Sequence, residues 1–337
     1  MTRIKPSQGP LALAAAALVA GTFLAGPALA QSKVIVKIGT VVQGDHPENV
    51  GAREIERLVE ERSNGEIDVR VFTDGQLGGQ REMVEQLRNG TLEITWVTTG
   101  FFGSWAPVLN TLEIGYIFKD REHAFRVFDG ELGEEVRGLV EKEGVKLLGY
   151  YEAGLRHITN SKRAINGPDD LKGLKIRTPQ AKYHLKSLEL MGASATPMSF
   201  NELYTAMQQD VVDGQENPLS NIFNAKFAEV NDHLALTGHL HLTHMVLYSA
   251  KAWEKLSPAH QEIISQAVID SQKVQRDKVG DDDARLLVEL EKAGMEVSRP
   301  DRDAFAKAVA PLRDEAIAEY GETARKWLDM IDAAASE

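Results

Sequence analysis

The chain of 337 residues is long enough for two domains of ordinary size. It contains no cysteine, so neither a disulfide framework nor a thiolate metal site is open to it, and its core must carry the stability unaided. A formal charge of −12 at pH 7 argues against nucleic acid, whose binding rests on basic patches, and requires any anionic ligand to be held by a local cation against the field of the whole molecule.

Residues 1–30 have the composition of an export signal. Arg3 and Lys5 give a positive start, Leu11 to Leu24 an alanine-rich apolar run, and Ala28-Leu29-Ala30 a small-x-small cleavage signal, so the mature chain is expected to begin at Gln31. A retained anchor would need about 20 apolar residues, and Gly21, Gly26 and Pro27 interrupt this run. No cysteine follows it to carry a lipid. The expectation is a soluble protein outside the cytoplasmic membrane, with no later segment inserted in it. Loss of Arg3 and Lys5 takes two from the 38 basic residues and none from the 50 acidic ones, for a mature charge of about −14.

Val34 to Val41 is a β-rich run closed by the polar turn Gln43-Gly44-Asp45-His46-Pro47. Ala52, Ile55, Leu58 and Val59 fall on one face of a helix predicted over about 50–62, which Ser63-Asn64-Gly65 stops. Ile67 to Phe72 alternates as a strand. Gly75-Gln76-Leu77-Gly78-Gly79 then leads into a helix over about 80–88, and Leu92 to Val97 forms the next strand. This β-α-β-α-β order is the signature of a mostly parallel sheet covered by helices. Past the loop at 98–102, the aromatics Trp105, Tyr116 and Phe118 suit a core or an interdomain seam. One helix is predicted around 122–143. The strand that follows, 145–151, continues past Gly154 to Asn160, where the chain first crosses between domains.

Leu174 to Thr178 (strand), Lys182 to Met191 (helix), Ala195 to Pro197 (strand), Asn201 to Gln209 (helix) and Val211 to Asp213 (strand) build the second region. Ser199 and Glu202 have the spacing of a capping box. Arg177 stands at a strand end, where open α/β sheets meet their ligands. Leu240, Leu242, Met245 and Leu247 mark the extended segment 234–249 as a strand crossing back. Ser257 as N-cap and Pro258 at the first helical position open a helix reaching about Ala293. At 1.5 Å per residue it spans about 50 Å, enough to brace both domains. Residues 301–337 are helical, with Trp327 and Leu328 for burial.

Five stretches in this order, Gly75-Gln76-Leu77-Gly78, Leu171-Lys172-Gly173-Leu174-Lys175-Ile176-Arg177, Pro197-Met198-Ser199-Phe200, Glu202-x-Tyr204-x-Ala206 and Val212-Asp213-Gly214-Gln215-Glu216-Asn217-Pro218, resemble a known family. It is that of the periplasmic solute-binding subunits of tripartite ATP-independent periplasmic (TRAP) transporters, of the DctP type. The resemblance implies a two-lobed α/β binding protein with a mostly parallel or mixed sheet in each lobe, crossing hinge strands and a long helix bracing both. Residues 31–153 and 243–281 would form lobe I, and 154–242 and 282–337 lobe II.

It further implies capture of a small organic acid, a sugar acid such as a uronate or aldonate or a four-carbon dicarboxylate, for delivery to membrane permease subunits. By similarity Arg177 forms a bidentate carboxylate pair, which suits the planar fork of a guanidinium. Arg156 supplies a second basic contact, Asn217 a polar one, Phe200 packs on the ligand, Gln180 sits near it and His244 takes a variable pocket position. Thr98 and Thr99, with residues 42–46, are the first lobe's loops. Thr98, Thr99, Gln43 and His46 offer hydrogen bonds without a second cation, which favours a hydroxylated acid over a short diacid. Asp210 departs from the family's glycine at a position suited to a left-handed residue, a conformation that Asp tolerates.

Asp213 and Glu216 are expected to hold backbone N–H groups. His239 and His241 share one face of a strand and His244 the other, so a three-histidine zinc site would need a bulge. No metal or cofactor is expected. A nucleophile elbow, an H-E-x-x-H helix, a phosphate loop and a G-x-G-x-x-G turn are all absent from the sequence, so no enzyme is expected. A ligand-sensing or a metal-binding periplasmic protein is the alternative, and a monomer is the default.

Overall fold

The computed structural model describes residues 33–335 and, outside them, Thr2; the export signal and its cleavage site lie outside the described residues. Nine strands form one mixed sheet: β1 (Val34–Gly39), β2 (Ile67–Phe72), β3 (Ile94–Thr98), β4 (Val145–Asn160), β5 (Lys175–Thr178), β6 (Ser194–Pro197), β7 (Gly214–Pro218), β8 (His233–Ser249) and β9 (Glu296–Ser298). The order is β2-β1-β3-β8-β4-β7-β5-β6, with β9 beside β8. β1 pairs in parallel with β2 and β3, and β5 with β6 and β7. The two long strands β4 and β8 run antiparallel along each other and join these sets. β3 takes residues 244–248 of β8, and β7 takes 156–160 of β4. The two expected sheets are therefore continuous through the crossing strands.

Eleven α-helices are described: α1 (Pro47–Arg62), α2 (Gln80–Asn89), α3 (Arg121–Phe128), α4 (Glu131–Val140), α5 (Lys182–Leu190), α6 (Phe200–Gln208), α7 (Leu219–Asn224), α8 (Ala250–Trp253), α9 (Pro258–Lys292), α10 (Arg302–Val309) and α11 (Pro311–Ala334). In α9, Ser257 Oγ accepts from the His260 amide as the N-cap. Ile264, Ala267 and Val268 of this helix enter the core under β1–β3, and Leu286 and Leu290 the core shared with α6 and α7. One helix thus packs on both strand sets, and truncating either Leu to Ala would cost about 2–5 kcal/mol. Its glutamines also repair the sheet. β4 is irregular between Leu147 and Gly149 and between Glu152 and Gly154. There Gln272 Oε1 accepts from the Tyr150 amide, and Gln275 bonds both the amide and the carbonyl of Glu152. Buried backbone groups that a bulge leaves unpaired need such partners.

Several expected boundaries move. The helix around 122–143 breaks into α3 and α4, because Gly130 is extended and a Cβ there would lie 2.8 Å from the Arg126 carbonyl oxygen. The strand at 211–213 shifts to Gly214–Pro218, where Gly214 presses so close to β4 that a Cβ would sit 2.0 Å from Thr159 O. The Ser199 side chain caps nothing, and the Glu202 amide bonds the Ser199 carbonyl instead. The C-terminal helical region divides at Ala310 and kinks at Gly321 (φ 65°). Asp210 adopts the left-handed conformation (φ 54°) expected of the residue in the glycine's place.

Candidate functional site

The C-terminal ends of β1, β3 and β5 and the middles of β4 and β8 converge on one cleft, the usual place for ligands in open α/β sheets. Arg177, Arg156, Asn217, Phe200, His244 and Thr98 all line it. Gln180 does not. It borders an adjoining opening that shares Arg177 and Phe200 with the cleft, and accepts a hydrogen bond from Arg81.

Arg177 is 2 % exposed. Its Nε and Nη2 both donate to the Met198 carbonyl, at 3.0 and 2.7 Å, and the Phe200 ring centroid lies 5.9 Å from the guanidinium carbon. Among the described residues no carboxylate forms an ion pair with it. Burial pushes its pKa down to about 9, against the opposing pull of Glu216, so it remains charged at neutral pH. A buried cation without a counter-charge is costly to hold, and an incoming anion offsets that cost.

Arg156 is buried too, but its charge is met. Its Nε and Nη2 donate to the Glu216 carboxylate, and Nη2 also to the Glu216 carbonyl. Glu216 was expected to hold backbone N–H groups. It instead receives side chains, because its strand lies between β4 and β5 and its backbone is committed to the sheet. Thr178 Oγ1 donates to it at 3.0 Å, and His239 Nε2 and His184 Nδ1 lie at 3.2 and 3.4 Å. Burial alone would raise the Glu216 pKa; Arg156, His184 and His239 outweigh it and hold the carboxylate well below its usual range. Asp213 behaves as expected, accepting from the Lys175 amide at 2.8 Å.

Sequence reasoning missed the continuation of this network. His184 Nε2 lies 2.8 Å from Glu113 Oε2, and Glu113 accepts from the Gly100 amide and from Thr99 Oγ1. Burial disfavours charge on His184, yet the two flanking carboxylates raise its pKa. Thr99 is therefore committed behind the wall, while Thr98 lines the cleft, accepts from the Phe101 amide and also meets Glu113. Asn217 is anchored by its amide nitrogen to Gln215.

Glu48 was missed as well. It opens α1 behind Pro47, lines the cleft at 4 % exposure, and accepts from Trp96 Nε1 at 2.7 Å. Burial raises its pKa to about 7, with the Trp96 bond opposing. His244 lies beside it, and burial, helped by His46 and Arg156, lowers its pKa to about 3. His46 turns away, its Nδ1 accepting from the Glu48 amide and its Nε2 meeting Asn221 Oδ1 at 3.2 Å; burial lowers it to about 4. Three of the four histidines of β8 diverge toward different acids: His239 faces Glu216, His241 faces Glu152, and His244 faces Glu48.

Residues 38–319 match the family DctP, bacterial extracellular solute-binding protein, family 7. A solute-binding protein of Verminephrobacter eiseniae is 37% identical over 298 residues, which is 88% of each chain. Among solved structures, a TRAP periplasmic solute binding protein from a Polaromonas species, bound to D-erythronate, is 36% identical with a TM-score of 0.85, over 90% of this chain and 98% of its own. The sugar acid binding protein DctPAm from Advenella mimigardefordensis, in complex with galactonate, is 32% identical with a TM-score of 0.87, over 90% and 99% of the two chains.

Proposed function

The chain belongs to the bacterial extracellular solute-binding proteins of family 7, which bind and do not transform their solutes, and from that premise we propose that Arg177 grips the carboxylate of a small organic acid. The observation that carries this reading is a buried guanidinium in the cleft wall with no carboxylate of its own among the described residues. Two N–H groups bonded to the Met198 carbonyl fix the plane of the fork, so little orientation is left to lose on binding. Arg156 adds positive potential while Glu216 keeps it in place. Asn217 and Thr98 contribute hydrogen bonds, and Phe200 packs on the ligand. Gln180 acts from the adjoining opening.

The solute is a sugar acid or a four-carbon dicarboxylate. Residues 31–153 and 243–281 act as one lobe and 154–242 and 282–337 as the other. They close about β4 and β8, since contacts from both lobes exist only in the closed form. The loaded monomer then hands its solute to membrane permease subunits in the periplasm.

A thermal-shift screen over aldonates, uronates, 2-oxo acids and four-carbon dicarboxylates tests the reading. A true solute at about 100 times its Kd adds about 2.7 kcal/mol of stability. A rise in Tm with at least one of these acids, and none with the matching neutral polyols, is the expected pattern; a flat response to every acid would overturn it.

A further inference from the structure

The cleft is not cationic all round. Arg177 belongs to the β5–β7 side. On the β1–β3 side the wall carries Glu48, an acid, where a dicarboxylate site would need a second positive group. The other guanidinium in the wall, Arg156, is engaged by Glu216.

Beside Glu48 stands an unsatisfied atom. His244 Nδ1 lies 3.3 Å from Glu48 Oε1 and is buried without a hydrogen-bond partner among the described residues. His244 as a whole is 6 % exposed and lines the same cleft. Buried polar atoms are nearly always paired, so such an orphan in a binding wall marks a place for a ligand atom. Trp96, bonded to the other carboxylate oxygen, fixes the direction in which Glu48 points.

The chemistry of the pair selects among ligand groups. A neutral imidazole beside a carboxyl group offers one donor and one acceptor side by side. A hydroxyl donates and accepts at once, and so satisfies both. A carboxylate only accepts; against Glu48 it meets either like charge or the need to share a proton, and both cost free energy in a dry wall. Burial holds His244 neutral and raises Glu48 to about 7, so at neutral pH the pair offers no positive charge to a second carboxylate.

We propose that Glu48 and His244 are the selectivity pair of this site: they bond a hydroxyl on the chain of a bound acid and turn away a second carboxylate, which makes the solute a hydroxylated monocarboxylate. The inference rests on Arg177 holding the first carboxylate.

Calorimetric titration with D-erythronate and succinate, four-carbon acids differing beyond the first carboxylate, tests it in the whole mature protein. Wild type is expected to bind D-erythronate at least about 100-fold more tightly than succinate, as befits a site that rejects a ligand leaving its polar groups mismatched. Glu48→Gln keeps an acceptor for Trp96, and is expected to narrow that ratio about tenfold through gain of succinate and loss of erythronate. His244→Asn is a second, independent variant expected to weaken erythronate alone. Equal affinity of wild type for the two acids, or an unchanged ratio in Glu48→Gln, would overturn the proposal. Arg177→Ala separates the two readings. Loss of both acids there upholds the arginine whatever the ratios do, while undiminished erythronate binding removes the premise. If neither acid binds wild type, galactonate against galactarate poses the same question at six carbons, and silence from all four overturns the assigned class.

Discussion

The two sides of the cleft solve different problems. On the β5–β7 side, strand ends present Arg177 with its fork fixed on Met198, and a network centred on Glu216 holds Arg156 behind it. On the β1–β3 side, Glu48, His244 and Thr98 present polar groups, with His244 held neutral at neutral pH. On the proposed reading the first side supplies attraction for a carboxylate and the second decides what may hang from it. Affinity and selectivity are thereby assigned to different strand sets, which β4 and β8 join within the sheet and α9 braces.

The strongest way to break this division is Arg177→Ala. Removing one member of a buried, hydrogen-bonded charge pair costs about 3–5 kcal/mol of binding, a loss of roughly 100-fold or more. Calorimetry should show it while thermal melting of the free protein is unchanged or improved, since an unpaired buried charge has been removed. A comparable loss from Thr98→Ala would erase the distinction between the sides.

Next comes Glu216→Gln, which leaves Arg156 buried without its balancing charge. Breaking such a pair costs about 3 kcal/mol or more, and the drop should appear in the urea midpoint of the ligand-free protein. A shift too small to measure would mean that the network does not support the arginine side.

A pH series sharpens the other side. His46, His157 and His244 have folded pKa values near 4, 3 and 3, below their ordinary 6.5, because burial opposes their charge. Depressed values stabilise the fold fully above pH 6.5, and that contribution is lost as pH falls through the folded values. Glu48 has the opposite sign: raised to about 7, it stabilises below its ordinary 4.5 and loses that contribution as pH rises toward 7. Acid destabilisation between pH 6.5 and 4 is therefore expected, partly offset by Glu48. His244→Asn should remove on the order of 2 kcal/mol of it, read from urea unfolding at the two ends. An unchanged slope would show that His244 is not held neutral.

The smallest effect is expected at Phe200, which stacks between Arg177 and Phe227. Phe200→Leu gives up an internal cation–π contact of about 0.5–1 kcal/mol, expected as a small fall in the urea midpoint of the ligand-free protein; no fall would mean that the ring does not support Arg177.

The arginine side was far more legible in the sequence than the other. The alternation of strands and helices from Leu174 to Pro218 is local, and a strand-end arginine declares itself by position. The long helix was equally plain, since Ser257 and Pro258 announce its start and the lone Gly280 does not interrupt it before Gly294. Glu48 was not legible. It meets Trp96 and His244 only after β1, β3 and β8 have been assembled, and by sequence it is one more acid at a helix start. His184 and Glu113 were hidden for the same reason: one sits in an ordinary helix and the other ends a short 3-10 helix, and only the fold joins them to Glu216. The break at Gly130 was missed because apolar periodicity continues across it, while the close approach to the Arg126 carbonyl is a matter of backbone geometry. Periodicity and motif thus exposed what neighbouring residues decide, and missed what distant ones bring together.

The most direct test leaves the protein untouched and alters the ligand. Wild type is titrated calorimetrically with the acid that most raises its Tm and, side by side, with the same carbon chain bearing CH2OH in place of the carboxylate. If Arg177 grips a carboxylate, the acid binds and the alcohol is weaker by roughly 100-fold or more. Equal affinities for the two would contradict the arginine–carboxylate clamp outright.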